Sequence, residues 1–244
     1  SPDGVNVNEN CGSTHTDALR RLVREEHLDV GFAFDGDADR CLAVDENGNT
    51  VDGDGIIYIL ARRLKERGML DKNKVIATVM SNGGLFRALD AAGIEYETTD
   101  VGDRFVYERM QETGCRLGGE QSGHIILRKY ATTGDGLLTA IMLSEELRDR
   151  KTTLSKLAEN VVPLPQKTEN VRVIDKAAVL ADPEVLKKYG AINAELGKKG
   201  RVLLRASGTE PVVRIMAECE KKSDCEEYIS KLYSVIKKRG YCRE

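Results

Sequence analysis

Three carboxylates alternate in Asp35-Gly36-Asp37-Ala38-Asp39, directly after the apolar run from Leu28 to Phe34. Gly36 and Ala38 add almost no bulk, so the loop can fold tightly and turn its acids to one point. Hard oxygen donors at that density suit Mg²⁺. Without a cation, three neighbouring carboxylates beside a buried strand repel one another. Two other chemistries draw on the same residues. A calcium EF-hand also begins D-x-D-x-D and ends on a Glu at its twelfth position, where Glu46 stands. Its sixth position, however, is Gly, and here it is Arg40. The flanks, Leu28 to Phe34 and Cys41 to Val44, also read as strands rather than helices. A phosphatase that attacks phosphate with Asp35 is the other alternative.

Two further loops have a composition suited to ligands. Gly118-Gly119-Glu120-Gln121-Ser122-Gly123-His124 has the glycines for a tight, exposed loop. Glu120 offers an acceptor and Ser122 both a donor and an acceptor, which a pair of sugar hydroxyls needs. His124 can donate to a phosphate or shuttle a proton. A Gly-rich hairpin with a surface histidine accounts for the same residues. In Arg205-Ala206-Ser207-Gly208-Thr209-Glu210-Pro211, Arg205 supplies a bidentate cation and Ser207 and Thr209 supply hydroxyls. Gly208 lets backbone N–H groups approach an oxyanion. That is the composition of a phosphate clamp, although a polar hairpin turn is the plainer reading. It is not a Walker loop, because no Gly-Lys-Ser/Thr is present. Arg214 either adds charge to the clamp or is a solvated strand residue. His15 and His27 have no such setting and read as structural or solvent-facing.

The elements that must position these loops alternate between strand and helix. Val5-Asn6-Val7 reads as the end of a strand, Asp17 to Glu26 as a helix, then the two strands that flank the acids. Gly55 to Arg67 reads as a helix stopped by Gly68. The β-branched run Val75 to Val79 precedes the loop Ser81 to Gly84. A helix from Leu85 to Ala92, a strand from Ile94 to Thr98 and a helix from Asp103 to Gln111 follow. Arg116-Leu117 leads into the Gly-rich loop, and Ile125 to Leu127 is a strand. Asp135 to Leu147 is an amphipathic helix with Leu138, Ile141, Met142 and Leu147 available for its buried face. Val161 to Gln166, with two prolines, is the best linker. Beyond it come strands at Asn170 to Ile174, Arg201 to Leu204 and Val212 to Ala217. Helices are expected over Ala177 to Leu196 and Asp224 to Lys238. Alternation of this kind gives α/β layers, followed by a small α+β domain.

Composition narrows the partners. Net charge is −3 and Lys and Arg are dispersed, which argues against nucleic acid or a membrane surface. Trp is absent, so a stacking platform for single strands is not expected. No apolar run approaches the roughly 18 residues needed to span a bilayer. Six cysteines without a C-x-x-C pair read as free thiols in a reducing cytoplasm.

The three loops, in this order, resemble the α-D-phosphohexomutase superfamily over nearly the whole chain. The resemblance implies mixed-sheet α/β phosphohexomutase domains followed by a small α+β domain. Residues 1–71 would be the C-terminal part of a metal-binding domain two, 72–162 a sugar-binding domain three and 163–244 a phosphate-binding domain four. It carries the metal ligands over to Asp35, Asp37 and Asp39, with Mg²⁺ as cofactor and Arg40 beside them as a catalytic residue. It assigns sugar binding to Glu120, Ser122 and His124, with His124 also a catalytic candidate. Phosphate binding falls on Arg205, Ser207, Gly208 and Thr209. Asp-Gly-Asp-Ala-Asp-Arg, with Ala38 where phosphomannomutase/phosphoglucomutase relatives usually have Gly, leans towards the branch that acts on glucosamine phosphates. Val101-Gly102-Asp103-Arg104 and Thr132-Thr133-Gly134-Asp135-Gly136 fit that branch, with Arg104 as an extra substrate contact. Gly83 departs from it, in a position where an apolar residue is expected.

The reaction the resemblance implies converts glucosamine 6-phosphate to glucosamine 1-phosphate through a phosphoserine and a bisphosphate intermediate. It would feed UDP-N-acetylglucosamine and cell-wall precursors. The partner is a small sugar phosphate, and a full-length protein could form a homodimer. The family's first domain, with its serine loop, is expected to be missing, so the chain reads as a fragment that is inactive alone. Ser13-Thr14-His15 is rejected as the nucleophile because it sits ahead of a domain-two helix. Phosphomannomutase/phosphoglucomutase activity, the Asp35 phosphatase and a non-catalytic sugar-phosphate-binding module are the alternatives.

Overall fold

The computed structural model describes residues 3–208 and 210–243. They form two compact units, residues 1–162 and 163–244.

The first unit opens with turns rather than a strand. Asp3 Oδ1 accepts from the N–H groups of Val5 and Asn6, both at 2.9 Å, and this Asx turn leaves Val5 exposed. Helix α1 (Asp17–Glu25) follows, then β1 (Val30–Phe34), β2 (Cys41–Asp45) and β3 (Thr50–Val51) in one antiparallel sheet. Helix α2 (Gly53–Glu66) begins where the Asp52 carboxylate accepts from the N–H groups of Asp54 and Gly55. It is buried almost all round, with Ile56, Ile57 and Leu60 fully inside. Replacing one of these by Ala costs about 2–5 kcal/mol.

A second sheet has the order β5-β4-β6-β7, built from β4 (Lys74–Thr78), β5 (Glu95–Thr99), β6 (Leu117–Gly119) and β7 (Ile125–Leu127). Strands β4, β5 and β6 run parallel, and β7 is antiparallel to β6. Helices α3 (Gly83–Ala91) and α4 (Asp103–Thr113) make the crossovers. Gly83 is the first residue of α3, just after the Asn82 cap. Helices α5 (Gly136–Arg150) and α6 (Leu154–Ala158) complete the unit. Strand β4 is buried along Val75 to Thr78, as its β-branched run predicts, while β5 is a charged edge whose Glu97 is held by Lys74 and Arg109. The buried face of α5 differs from expectation. Met142 is inside, but Ile141 is 50% exposed, and Thr139, Ala140, Leu143 and Glu146 take the inward positions.

The second unit is an antiparallel sheet, β8-β10-β9, from β8 (Gln166–Arg172), β9 (Gly200–Ala206) and β10 (Val212–Cys219). Helices α7 (Lys176–Ala181), α8 (Pro183–Leu196) and α9 (Lys222–Lys238) pack on it. Val179, Val185, Ile192, Ile229, Leu232 and Ile236 meet Val202, Val213 and Ile215 in its core. Pro183 splits the long helix expected over Ala177 to Leu196. The first strand lies earlier than its hydrophobics suggest, because pairing with β10 sets its limits and leaves Ile174 exposed.

The candidate metal and sugar-phosphate site

The acids sit at the tip of the β1–β2 hairpin. Phe34 pairs with Cys41, so the loop from Asp35 to Arg40 closes directly on the last rung of the ladder. The Ala38 N–H donates to the Asp35 carbonyl at 3.1 Å, and Ala38 takes a positive φ of 59°, which tightens the turn. One oxygen from each of Asp35, Asp37 and Asp39 lies within 4.8 Å of the others. A second Asp35 function is fixed by the chain itself, since the Arg40 N–H donates to its Oδ1 at 3.1 Å. The Arg40 guanidinium stands 3.8 Å from Asp35 and 3.9 Å from Asp39, too far for a hydrogen bond, and its buried Nε has no partner. Three oxygen donors that converge without bonding to one another fit a hard divalent cation. Burial pushes the adjacent Cys41 thiol up to about 12.

A second chain segment is pressed against this loop. Gly136 N–H donates to the Ala38 carbonyl at 2.9 Å. A Cβ on Gly134 would lie 2.6 Å from the Asp39 carbonyl and from the His124 ring, and one on Gly136 would lie 2.6 Å from the Arg40 carbonyl. Only glycine permits that approach at either position. Asp135 between them caps α5 by accepting from Leu138 N–H at 2.8 Å.

The sugar-type loop is the tip of the β6–β7 hairpin. Gly118 and Gly119 belong to β6, so the turn is shorter than the sequence suggests and runs from Glu120 to Gly123. Arg40 and His124 form an isolated antiparallel bridge, and the Cys41 N–H donates to the Gly123 carbonyl at 3.1 Å. The two hairpin tips are therefore stitched by backbone. Gly53 N–H donates to the Gln121 carbonyl at 2.9 Å, fixing the other side of the turn to α2. Burial pushes the Asp52 carboxyl up, against hydrogen bonds from Gly55, Gln121 and Asp54. Glu120 is 8% exposed and accepts from the Gly102 N–H at 3.1 Å, while Ser122 is exposed. Arg104, two residues beyond Gly102, points to solvent and pairs with Glu108 at 2.8 Å.

His124 departs from the surface histidine that the sequence allows. It is 2% exposed, with Nδ1 3.0 Å from Asp39 Oδ2 and Nε2 accepting from Gly134 N–H at 2.9 Å. A ring whose Nε2 accepts carries its proton on Nδ1 and donates it to Asp39. Neither nitrogen is left for proton shuttling. The signal that could have shown this is Gly134-Asp135-Gly136, a spacing that marks close backbone packing.

In the second unit, Arg205 lies within β9 rather than in the loop that follows. It faces Arg214 directly across the β9–β10 ladder. Like charges in that position are unfavourable unless an anion joins them. The buried Arg214 Nε has no hydrogen-bond partner, although the same side chain reaches Glu210 at 3.3 Å. Ser207 is 5% exposed, and its Oγ accepts from the Glu210 N–H at 3.2 Å. Gly208 is exposed, and Thr209 lies outside the described residues. Lys176, which the sequence did not single out, donates from Nζ to the carbonyls of Ser207 at 2.7 Å and Glu210 at 3.1 Å.

Among the described residues, no helix is long and apolar enough to cross a membrane. The described cysteines are free thiols, four of them buried.

Comparison with known proteins identifies two domains of one family. Residues 52–164 match the phosphoglucomutase/phosphomannomutase alpha/beta/alpha domain III, and residues 169–234 match the C-terminal domain of the same family. The first stretch begins ahead of α2 and so counts that helix with the sugar-type loop. A phosphoglucosamine mutase of Lachnospira eligens is 56% identical over 99% of this chain and 54% of its own length. One from Oceanobacillus iheyensis is 51% identical over 97% of this chain and 53% of its own. The chain thus spans about half the length of the curated relatives it matches. An Aspergillus fumigatus N-acetylphosphoglucosamine mutase, solved with GlcNAc-6P and magnesium, superposes with a TM-score of 0.74. It is 19% identical and covers 94% of this chain and 53% of that one, so it speaks for the fold alone. With two consecutive domains matched along most of its length, the chain belongs to the phosphoglucomutase/phosphomannomutase family.

Proposed function

We propose that the chain supplies the cation, sugar and phosphate elements of a phosphoglucosamine mutase, which interconverts glucosamine 6-phosphate and glucosamine 1-phosphate. One observation carries this reading. Relatives bearing that name are 48–56% identical across nearly the whole chain. Residues 1–71 hold the acidic loop, 72–162 the sugar loop and 163–244 the phosphate loop. In this reading Asp35, Asp37 and Asp39 hold Mg²⁺, which when bound offsets charge on a phosphoryl group in transfer.

The rest of the work is positioning, as phosphoryl transfer demands. Arg40 offers its unpartnered Nε to a phosphoryl oxygen. Ser122 and the Glu120 oxygen not held by Gly102 meet sugar hydroxyls. Arg205, with Arg214 opposite and the loop of Ser207, Gly208 and Thr209, grips the phosphate that is not being transferred. Arg104, anchored to Glu108 through Nε, offers its remaining N–H donors to substrate. His124 holds Asp39 instead of moving a proton. The phosphoserine comes from the half of the relatives' length that this chain does not span. Ser13, 5% exposed, is poorly placed for that role. A cytoplasmic location and a place in cell-wall precursor supply follow from the same reading.

The test is a chimera that joins this chain to the part of the Lachnospira eligens relative it does not span. It is assayed with glucosamine, glucose and mannose 6-phosphates and a catalytic amount of sugar bisphosphate. Turnover should be fastest with glucosamine 6-phosphate and absent from the chain alone. Faster turnover with mannose or glucose phosphate, or phosphate release by the chain alone that Asp35→Asn abolishes, would overturn it.

A further inference from the structure

Outside the loops described above, the first unit carries a cavity of about 450 Å³ lined by Asp71, Tyr107, Arg116, Arg128, Lys129 and Thr132. Three cations face one acid there, in a chain whose net charge is −3. The arrangement begins with the β6–β7 ladder. Leu117 pairs with Leu127, and one step further out the Arg128 N–H donates to the Arg116 carbonyl at 2.9 Å. Arg116 and Arg128 are thus opposite each other on neighbouring chain segments, a juxtaposition of like charges that costs stability unless an anion answers it. Lys129 adds a third charge next in sequence.

Each guanidinium has one anchoring contact. Arg116 Nε donates to Asp71 Oδ2 at 2.5 Å, and Arg128 Nη2 donates to the Gly114 carbonyl at 2.9 Å. The Lys129 ammonium lies over the Tyr130 ring, 5.2 Å from its centre. Every arginine has five N–H donors, so one anchored contact fixes the fork and leaves others for a ligand. Asp71 neutralises one of the three cations, which leaves an excess of two positive charges. Tyr107 and Thr132, both hydroxyl-bearing, also line the cavity, and the Tyr107 hydroxyl accepts from Gln111 Nε2 at 3.3 Å, which leaves its own O–H free to donate. Two net positive charges, planar donors and two hydroxyls match a phosphomonoester dianion. The volume is large enough for an organic group attached to it.

We propose that this cavity is a binding site for a phosphate dianion, either inorganic phosphate or the phosphoryl group of a small phosphomonoester. None of Asp35, Glu120, Ser122 or Arg205 lines it, so it goes beyond the proposed mutase reaction. Its place in the chain gives it a consequence. Thr132 lies two residues before Gly134, whose N–H holds His124 against Asp39. A ligand gripped by Arg128, Lys129 and Thr132 orders the segment that buttresses the acidic loop.

The experiment titrates the chain carrying Arg205→Gln, which weakens the other anion clamp, with inorganic phosphate and separately with glycerol 3-phosphate. Binding is followed by calorimetry and by phosphorus NMR. Saturable binding is expected, weakened about tenfold or more by Arg128→Gln and again by Lys129→Gln, the loss of one charge-assisted hydrogen bond each. Lys129 is exposed, so Lys129→Gln tests the site even if Arg128→Gln disturbs folding. Tighter binding of glycerol 3-phosphate assigns an organic phosphate, and equal affinities assign inorganic phosphate. Both results support the site. No saturable binding of either probe, or affinities unchanged in Lys129→Gln, would overturn it. Mutase activity of the chimera is a separate readout, so failure here does not bear on the reaction.

Discussion

His124 donates from Nδ1 to Asp39 Oδ2 across 3.0 Å while its Nε2 accepts from the Gly134 N–H at 2.9 Å. The ring therefore orients a candidate metal ligand from behind, in the way that outer-shell groups fix metal-binding carboxylates and histidines. His124→Phe should lower Mg²⁺ affinity about 10- to 100-fold. His124→Asn places an N–H donor close to the Nδ1 position and should recover most of it. Calorimetric titration with Mg²⁺ decides, and equal affinities in the two variants would deny the positioning role.

Gly134→Ala makes the same point through the backbone. Its Cβ would meet the Asp39 carbonyl and the His124 ring at 2.6 Å, and neither can retreat without moving the acidic loop. Stability should fall by about 1–3 kcal/mol, as for overpacking elsewhere, with a parallel loss of cation affinity. Denaturant unfolding and metal titration of one preparation check both.

Arg63 is 2% exposed and bridges α2 to α5 through Glu146 at 2.6 Å and Glu145 at 2.7 Å. Glu146 is itself 3% exposed. Arg63→Met leaves the buried Glu146 carboxylate with Arg150 as its remaining cation and should cost about 3 kcal/mol. Adding Glu146→Leu should restore much of that loss, because an apolar pair needs no partner. Urea unfolding of the two single variants and the double variant measures the coupling.

Asp182 caps α8 and anchors the second unit. Burial pushes its carboxyl up, but hydrogen bonds from Arg239, Tyr241 and the N–H groups of Val185 and Glu184 outweigh this and bring it down to about 2. A depressed carboxyl stabilises the fold above its ordinary value of 3.8, and that contribution is lost as pH falls through the interval down to about 2. Asp182→Asn should therefore lower the melting temperature at pH 7 and shrink the difference from the parent chain towards pH 2. A difference that stays constant with pH would contradict this.

Much of this was legible in the sequence, for reasons visible in particular residues. The buried run Val75 to Thr78 and the stop at Gly68 placed the central strand and helix within a residue or two. The alternating acids converge because Gly36 and Ala38 let them. Legibility failed where partners decide. Strand β8 is polar, and only its ladder with β10 defines it. Val5 and Val7 lack a pairing strand and turn into solvent. His124 read as a phosphate donor or proton shuttle because its own loop does not show that Gly134, ten residues on, closes over its ring.

The acidic loop is first of all a cation site. Titration of the chain with Mn²⁺, followed by electron paramagnetic resonance and competed with Mg²⁺, should show one bound ion per chain. Asp35→Asn, Asp37→Asn and Asp39→Asn should each weaken it, without a change in far-ultraviolet circular dichroism. Binding of undiminished strength in all three variants, or none in the parent chain, would contradict the account.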